Sequence, residues 1–289
     1  MAQKKVKIGL VQMSCVASVE QNQKKALAMV EEAAKSRAQI ICLPELYASL
    51  YFCQSEEQKN FKYAEKINGE SFKLFAAAAK KLGVVIIVPI YEKRAAGLYH
   101  NSAMIINSKG KLIDTYRKMH IPDDPLFMEK YYFAPGDKGF FAVDTEFGRI
   151  AVLICWDQWY PEGARLAALN GAEILFYPTA IGWITADDKE THKIQHEAWE
   201  TIQRSHSIAN GVFVAAVNRV GREADIQFYG SSFVSNPAGK VLSRAYTNKE
   251  EVIVVECDLD EIRNQREQWP FLRDRRVDAY ADISKRFVD

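Results

Sequence analysis

The sequence is short of most features that assign a chain quickly. Its 289 residues hold only five cysteines, Cys15, Cys42, Cys53, Cys155 and Cys257. Their number is odd, their spacings are wide and no CxxC occurs. That excludes a disulfide framework and a cysteine zinc site, and it fits a reducing, cytoplasmic setting. No uninterrupted apolar run is long enough to span a bilayer. The opening MAQKKVKIGLVQM has a basic start and a short apolar run, but no small-residue cleavage site. It alternates like a strand, so it is not read as a secretory signal. Net charge is +1 with no basic block and no acidic tail, so neither nucleic acid nor a membrane surface is expected as the main partner. GxGxxG and the P-loop pattern are both absent, which weakens a dinucleotide or nucleoside-triphosphate reading. His192 and His196 are spaced i, i+4, and His196-Glu197 begins an HExxH, but position 200 is Glu. No metal site is therefore expected. Low-complexity stretches, repeats and internal linkers are missing as well.

What is present is an ordinary globular composition, 48% hydrophobic and 26% charged, with ample core for one large domain. Apolar, β-branched runs over 6–13, 39–43, 84–91, 150–154, 173–177, 212–218 and 251–257 read as strands, and those over 39–43 and 150–154 as buried ones. Between them, 18–35, 71–82 and 193–210 carry helical patterns. Ser18 with Gln21 suggests a capping box, and Gly83 and Gly211 are stop signals. Turns at 108–110 and 237–239 predict two hairpins. The segment 118–139 has three prolines and no clear period, so it reads as an ordered loop of the kind that carries function. Strands alternating with helices, plus two inserted hairpins, predict a single α/β domain over 1–289. Its simplest form is a four-layer α-β-β-α sandwich, with a doubly wound single sheet as the alternative.

The chemistry centres on RIAVLICWDQWYPE at 149–162. Cys155 stands where a buried strand ends, just before Pro161 and Glu162 open an Ala/Leu-rich helix. A thiol at a strand-to-helix turn faces a cleft, and a helix N-terminus nearby favours thiolate. The alternative is a small buried hydrophobe. Glu45 follows the strand over 39–43, and Lys118 follows the hairpin strand over 111–117. Strand ends of one sheet edge collect into one cleft. A carboxylate, an ammonium and a thiol brought together make a nucleophilic site: Glu45 as general base, Cys155 as nucleophile, Lys118 as the charge that favours thiolate and holds an oxyanion. Taken singly, Glu45 and Lys118 read better as solvated charges or salt-bridge partners.

PELY at 44–47, YRKMHIP at 116–122 and CWDQWYPE at 155–162 resemble, in order and rough spacing, the three signature segments of the nitrilase (carbon–nitrogen hydrolase) superfamily. The similarity extends from Val6 to about Leu259. The resemblance implies the four-layer fold, a Glu45–Lys118–Cys155 triad and assembly through dimers. It implies a second glutamate supporting the triad, for which Glu129 in DPLFMEKYYFAPGD is the match; a loop ion pair is the other reading of Glu129. The implied mechanism is thiolate attack on a carbonyl or nitrile carbon, with the Trp156 N–H beside Lys118 at the oxyanion. It calls for no metal and no organic cofactor.

Branches of the family acting on N-carbamoyl amino acids typically place Arg after the cysteine to clamp a carboxylate. Here those places hold Asp157, Gln158 and Trp159. Asp157, Asp187 and Asp188 suit a cationic substrate tail instead. Tyr51, Phe52, Trp156 and Trp183 are candidates to wall a channel for a methylene chain. YFCQ at 51–54, HIPDDP at 120–125, EKYYFAPGD at 129–137 and PTAIG at 178–182 resemble the branch that hydrolyses N-carbamoylputrescine to putrescine, carbon dioxide and ammonia in polyamine synthesis. On that resemblance Thr179 and Ala180 are further substrate contacts. Ser49-Leu50 departs from the Gly-aromatic pair of that branch. β-Ureidopropionase, ω-amidase and a catalytically silent nitrilase-like binding protein remain the alternatives. A homo-oligomer is expected, with the tail over 269–289 lying across a neighbouring subunit.

Overall fold

The computed structural model describes residues 4–288; Met1 to Gln3 and Asp289 lie outside the described residues. Strand β1 (Lys5–Gln12), helix α1 (Val19–Lys35), strand β2 (Ile40–Cys42), helix α2 (Glu70–Leu82) and strand β3 (Val85–Ala95) form a parallel run. Ser18 caps α1 by accepting the Gln21 N–H, and Gly83 at φ +68° stops α2. Strands β4 (Leu98–Ile106) and β5 (Leu112–Arg117) extend the sheet antiparallel. The loop over 118–139 holds a two-residue ribbon, β6 (Asp123–Asp124) with β7 (Phe127–Met128), and a 3₁₀ turn, Glu129–Tyr131.

The second half starts with β8 (Val143–Asp144), β9 (Arg149–Val152), a 3₁₀ turn Cys155–Trp159, helix α3 (Pro161–Leu169) and β10 (Ile174–Thr179). A short strand β11 (Gly182–Ile184) precedes the long helix α4 (Lys189–Asn210) and β12 (Phe213–Asn218). Then come β13 (Val220–Glu223), β14 (Ile226–Tyr229), β15 (Phe233–Ser235), β16 (Val241–Arg244), β17 (Glu251–Asp258) and helix α5 (Asp260–Gln268).

Two six-stranded sheets result, ordered β17-β1-β2-β3-β4-β5 and β16-β15-β12-β10-β9-β8, with a small third sheet β11-β14-β13. The central strands are apolar throughout, yet period two still sorts their faces. Ile8, Leu10, Ile40, Cys42, Val85 and Ile87 meet Ile150, Val152, Ile174, Phe176, Phe213 and Ala215 between the two sheets. The alternate residues face helices. Val11, Ile41, Ile86 and Val88 pack on Ala26, Val30 and Ala33 of α1 and Phe75 and Ala79 of α2. Ala151, Leu153, Leu175 and Val214 pack on Ala164, Ala167 and Ala168 of α3, and Ala216 on Trp199 of α4. This is the four-layer α-β-β-α sandwich. Each large side chain buried in it contributes about 1.5–3 kcal/mol.

Three local readings differ from expectation. The strand expected to close at Pro178 runs on to Thr179. Its β9 partner ends at Val152, so no ladder bond on that side needs the N–H that Pro178 lacks. Helix α4 starts one turn earlier than the pattern from 193, because Asp188 caps it. The hairpin β13–β14 was not anticipated; its turn passes through Ala224 at φ +49° with no Gly to mark it. Among the described residues no helix is long and apolar enough to cross a membrane. The tail beyond Gln268 forms two 3₁₀ turns, and Trp269, Phe271, Tyr280, Ile283 and Phe287 remain exposed on it.

Candidate active site

The first sheet presents the C-terminal ends of β2 and β5 at the same edge, and β9 of the second sheet ends beside them. Glu45, Lys118 and Cys155 follow those three ends, and all are buried. Lys118 Nζ donates to Glu45 Oε1 at 2.8 Å and to Glu129 Oε2 at 2.7 Å. Glu129 comes from the 3₁₀ turn after β7, so the proline-rich loop folds inward to deliver it. Its other oxygen accepts the Tyr51 hydroxyl at 2.7 Å. Asn101 Nδ2 donates to Glu45 Oε1 at 2.7 Å. Glu45 Oε2 is buried and has no hydrogen-bond partner among the described residues. A buried carboxylate oxygen left open in this way is available to take a proton.

Cys155 begins its 3₁₀ turn at φ +42°, a left-handed conformation that a side-chain-bearing residue adopts only where its surroundings enforce it. The enforcing group is Asp157. Its fully buried carboxylate accepts the Ile154 N–H at 2.8 Å, the Tyr116 hydroxyl at 2.7 Å and the His120 N–H at 3.0 Å, and it meets His120 Nδ1 at 2.7 Å. Tyr116 and His120 flank Lys118, so Asp157 ties the Lys118 segment to the Cys155 turn. This corrects the reading of Asp157 as a partner for a cationic substrate: its oxygens already hold the protein together.

Burial pushes the Cys155 thiol well above its ordinary pKa, and the Glu45 carboxylate adds to the rise; Lys118 opposes it without prevailing. That direction runs against the expected thiolate. Burial disfavours the Lys118 charge, yet Glu129 and Glu45 hold the ammonium protonated, well above the usual lysine range. Burial pushes Glu129 up to about 7, against the pull of Lys118 and with the help of the Glu45 charge.

The other expected site residues divide. Tyr51 is buried against Phe127 and Phe228, as a wall residue would be, and its hydroxyl also orients Glu129. The Ala180 carbonyl stands 4.0 Å from Cys155 Sγ. Thr179 is buried and its hydroxyl donates back to the Tyr177 carbonyl at 2.9 Å. Trp156 is half-buried and lines a surface cavity of about 850 Å³ with Met119, His120, Ile121, Tyr131 and Tyr160. Asp187 and Asp188 lie in the turn before α4. There the Asp188 carboxylate accepts the Thr191 N–H at 2.8 Å and the Thr191 hydroxyl at 3.1 Å. Trp183, on β11, gives its indole N–H to the His192 carbonyl and stacks on the His192 ring. His196 packs against Tyr229, Trp183 and Trp199.

Three residues at the site were not singled out from the sequence: Asn101, Arg219 and Glu223. Arg219 is fully buried, pairs with Glu223 at 2.8 Å and donates to the carbonyls of Glu45 and Leu46. An Asn-Arg pair closing an apolar strand is the one hint that could have pointed to it.

A carbon–nitrogen hydrolase family model matches residues 7–267. An N-carbamoylputrescine amidase of Oryza sativa subsp. japonica is 41% identical over 96% of this chain and 93% of its own length. A citrullinase of Francisella tularensis is 37% identical over 98% of this chain and 99% of its own. Among solved structures, a carbon–nitrogen hydrolase from Helicobacter pylori G27 superposes with a TM-score of 0.96 at 46% identity, covering 98% of this chain and all of that one.

Proposed function

The chain belongs to the carbon–nitrogen hydrolase family and is an amidohydrolase; on that premise we propose that it hydrolyses N-carbamoylputrescine to putrescine, carbon dioxide and ammonia, a step of polyamine synthesis. The observation that carries the catalytic reading is the buried cluster in which Lys118 bridges two glutamates while Glu45 keeps one oxygen open. Glu45 takes the proton of the Cys155 thiol as sulfur attacks the carbamoyl carbon. The oxyanion forms against the Lys118 ammonium and the Trp156 N–H. Glu45 returns the proton to the departing ammonia, and a thioester carbamoyl remains on Cys155. Water, deprotonated by Glu45, then cleaves that thioester. The released carbamate loses carbon dioxide and leaves the diamine. Glu129 and Tyr51 hold the ammonium of Lys118 in place.

The substrate class rests on the relatives' names and on the residues beside the nucleophile. Citrulline carries the same carbamoyl-amine end with an added carboxylate, so citrullinase and carbamoylputrescine chemistry share their reacting group. The Arg219 guanidinium is engaged by Glu223 and by backbone carbonyls and so is not offered to a substrate carboxylate. Tyr51, Trp156, Thr179 and Ala180 are proposed to line the substrate channel, with Asp187 or Asp188 facing the far ammonium. The chain acts as one domain in the cytoplasm, as a homo-oligomer built from dimers with its tail laid across a neighbouring copy.

The test is ammonia release over a panel: N-carbamoylputrescine, citrulline, N-carbamoyl-β-alanine, glutamine and an aliphatic nitrile. Turnover fastest on N-carbamoylputrescine is expected. A preference for citrulline or the carbamoyl acid sinks the substrate assignment. No turnover on any of them, with no adduct at Cys155 after an electrophilic amide analogue, favours the silent binding protein.

A further inference from the structure

Among the buried charges outside the triad, one ion pair sits against the backbone that carries Glu45. Arg219 follows β12 and Glu223 closes β13, and both are buried. Arg219 Nη1 donates to Glu223 Oε1 at 2.8 Å. Arg219 Nη2 reaches the carbonyls of Glu45 at 3.0 Å, Leu46 at 2.8 Å and Ser49 at 3.4 Å. The second oxygen of Glu223 accepts the Tyr51 N–H at 2.6 Å. The guanidinium also lies 5.2 Å over the Phe228 ring. Inside this grip Leu46 sits at φ +48°, a conformation that relaxes unless its surroundings hold it.

We infer that Arg219 and Glu223 are positioning residues for the base and for the second glutamate: together they clamp 45–51, fixing the backbone from which Glu45 presents its open oxygen and letting Tyr51 reach Glu129. The inference rests on the triad reading above. A buried ion pair is poor material for stability alone, because apolar residues of similar volume hold a fold at least as well. What apolar residues cannot do is capture successive carbonyls turned to one side. The planar fork of arginine suits that task, and lysine, a point charge on a flexible stem, does not. The clamp also explains why β13–β14 is there: the hairpin brings Glu223 back to the loop that leaves β2.

The experiment uses the full-length protein with Arg219→Lys and Glu223→Gln, and Glu45→Gln as the reference. Two rates are read after circular dichroism and melting confirm folding. One is alkylation of Cys155 by iodoacetamide at neutral pH, located by mass spectrometry; the other is kcat and KM on N-carbamoylputrescine. Alkylation needs the base but no substrate, so it stands whichever amide is preferred. Displacing the base by about 1 Å costs ~10² in rate. Arg219→Lys is expected to lose that factor in both alkylation and kcat, with KM within about three-fold. Glu223→Gln keeps one acceptor and loses less. A folded Arg219→Lys with both rates near wild type overturns the clamp, as does a fall in kcat with alkylation intact. If Arg219→Lys does not fold, Glu223→Gln is judged by the same rates; if neither folds, the pair serves the fold alone and the inference fails. Wild-type alkylation in Glu45→Gln strikes the triad reading itself, and the clamp with it.

Discussion

Two regions of this molecule are rich in charge and use it in opposite ways. At the strand ends, Lys118 pairs with Glu45 and Glu129, partners 73 and 11 positions away, and all three side chains are sealed from water. In the tail, Arg273 pairs with Asp274, Arg276 with Asp278 and Lys285 with Asp282, all near neighbours in sequence and all exposed. Water screens the tail pairs, so each holds little. The buried cluster has no such screen. Its members set one another's protonation, and removing one leaves the others uncompensated. The tail's distinctive feature is instead apolar: Val277, Ile283 and Phe287 are 70%, 66% and 80% exposed.

The comparison is broken most sharply by Lys118→Ala. It removes the proposed oxyanion partner and strands two buried carboxylates. Activity should fall by ~10²–10³ or more, and stability by about 3–5 kcal/mol. Ammonia release and denaturant unfolding measure the two losses, and turnover within a few-fold of wild type ends the role given to Lys118. Cys155→Ser should separate the same effects: normal unfolding, no turnover.

Specificity comes next. N-carbamoylputrescine should exceed N-carbamoyl-β-alanine in kcat/KM by more than about tenfold, each tenfold being ~1.4 kcal/mol. Asp187→Asn and Asp188→Asn, made separately, sharpen the point. Asparagine still caps a helix, so Asp188→Asn should leave α4 intact. If one of the two aspartates faces the substrate ammonium, its variant alone compresses the ratio. An unchanged ratio in both variants moves the ammonium elsewhere.

Glu129 adds a pH signature. Its pKa is raised from 4.5 to about 7 by burial and by Glu45. Below pH 4.5 the folded and unfolded states both hold the proton. Between 4.5 and about 7 only the folded state holds it, so this group's contribution falls as pH rises through that window and is level above it. The difference in unfolding free energy between wild type and Glu129→Gln should therefore decline from pH 4.5 to 7. A flat difference across that window overturns the raised pKa.

The tail should show the smallest thermodynamic effects. Arg276→Gln is expected to leave melting and activity unchanged. Deleting 269–289 should leave each subunit folded but reduce the particle mass seen by light scattering. A full-length protein that is monomeric at micromolar concentration removes the role given to the tail.

The strands and helices were largely legible because they depend on local order. Ser18 and Gly83 announce the limits of α1 and α2, and period two within β1, β9 and β10 sorts inner from outer faces. Glu45, Lys118 and Cys155 were legible as residues that each follow a strand. Glu129 was legible only through resemblance, since nothing local says that a proline-rich loop turns inward. Asp157 was misread because adjacency to Cys155 says nothing about what else lies within 3 Å of its oxygens. Arg219 and Glu223 were invisible for the same reason: their contacts to 45–51 join positions more than 170 residues apart. The sequence by itself determined which segments are strands and helices, and which side chains stand at strand ends, because steric and hydrophobic periodicity act between near neighbours. Only the tertiary structure decided which of the charges are desolvated, which carboxylate oxygen is left open and which arginine holds the loop. Those outcomes depend on excluding water from a space enclosed by both sheets, and no single stretch of chain encloses it.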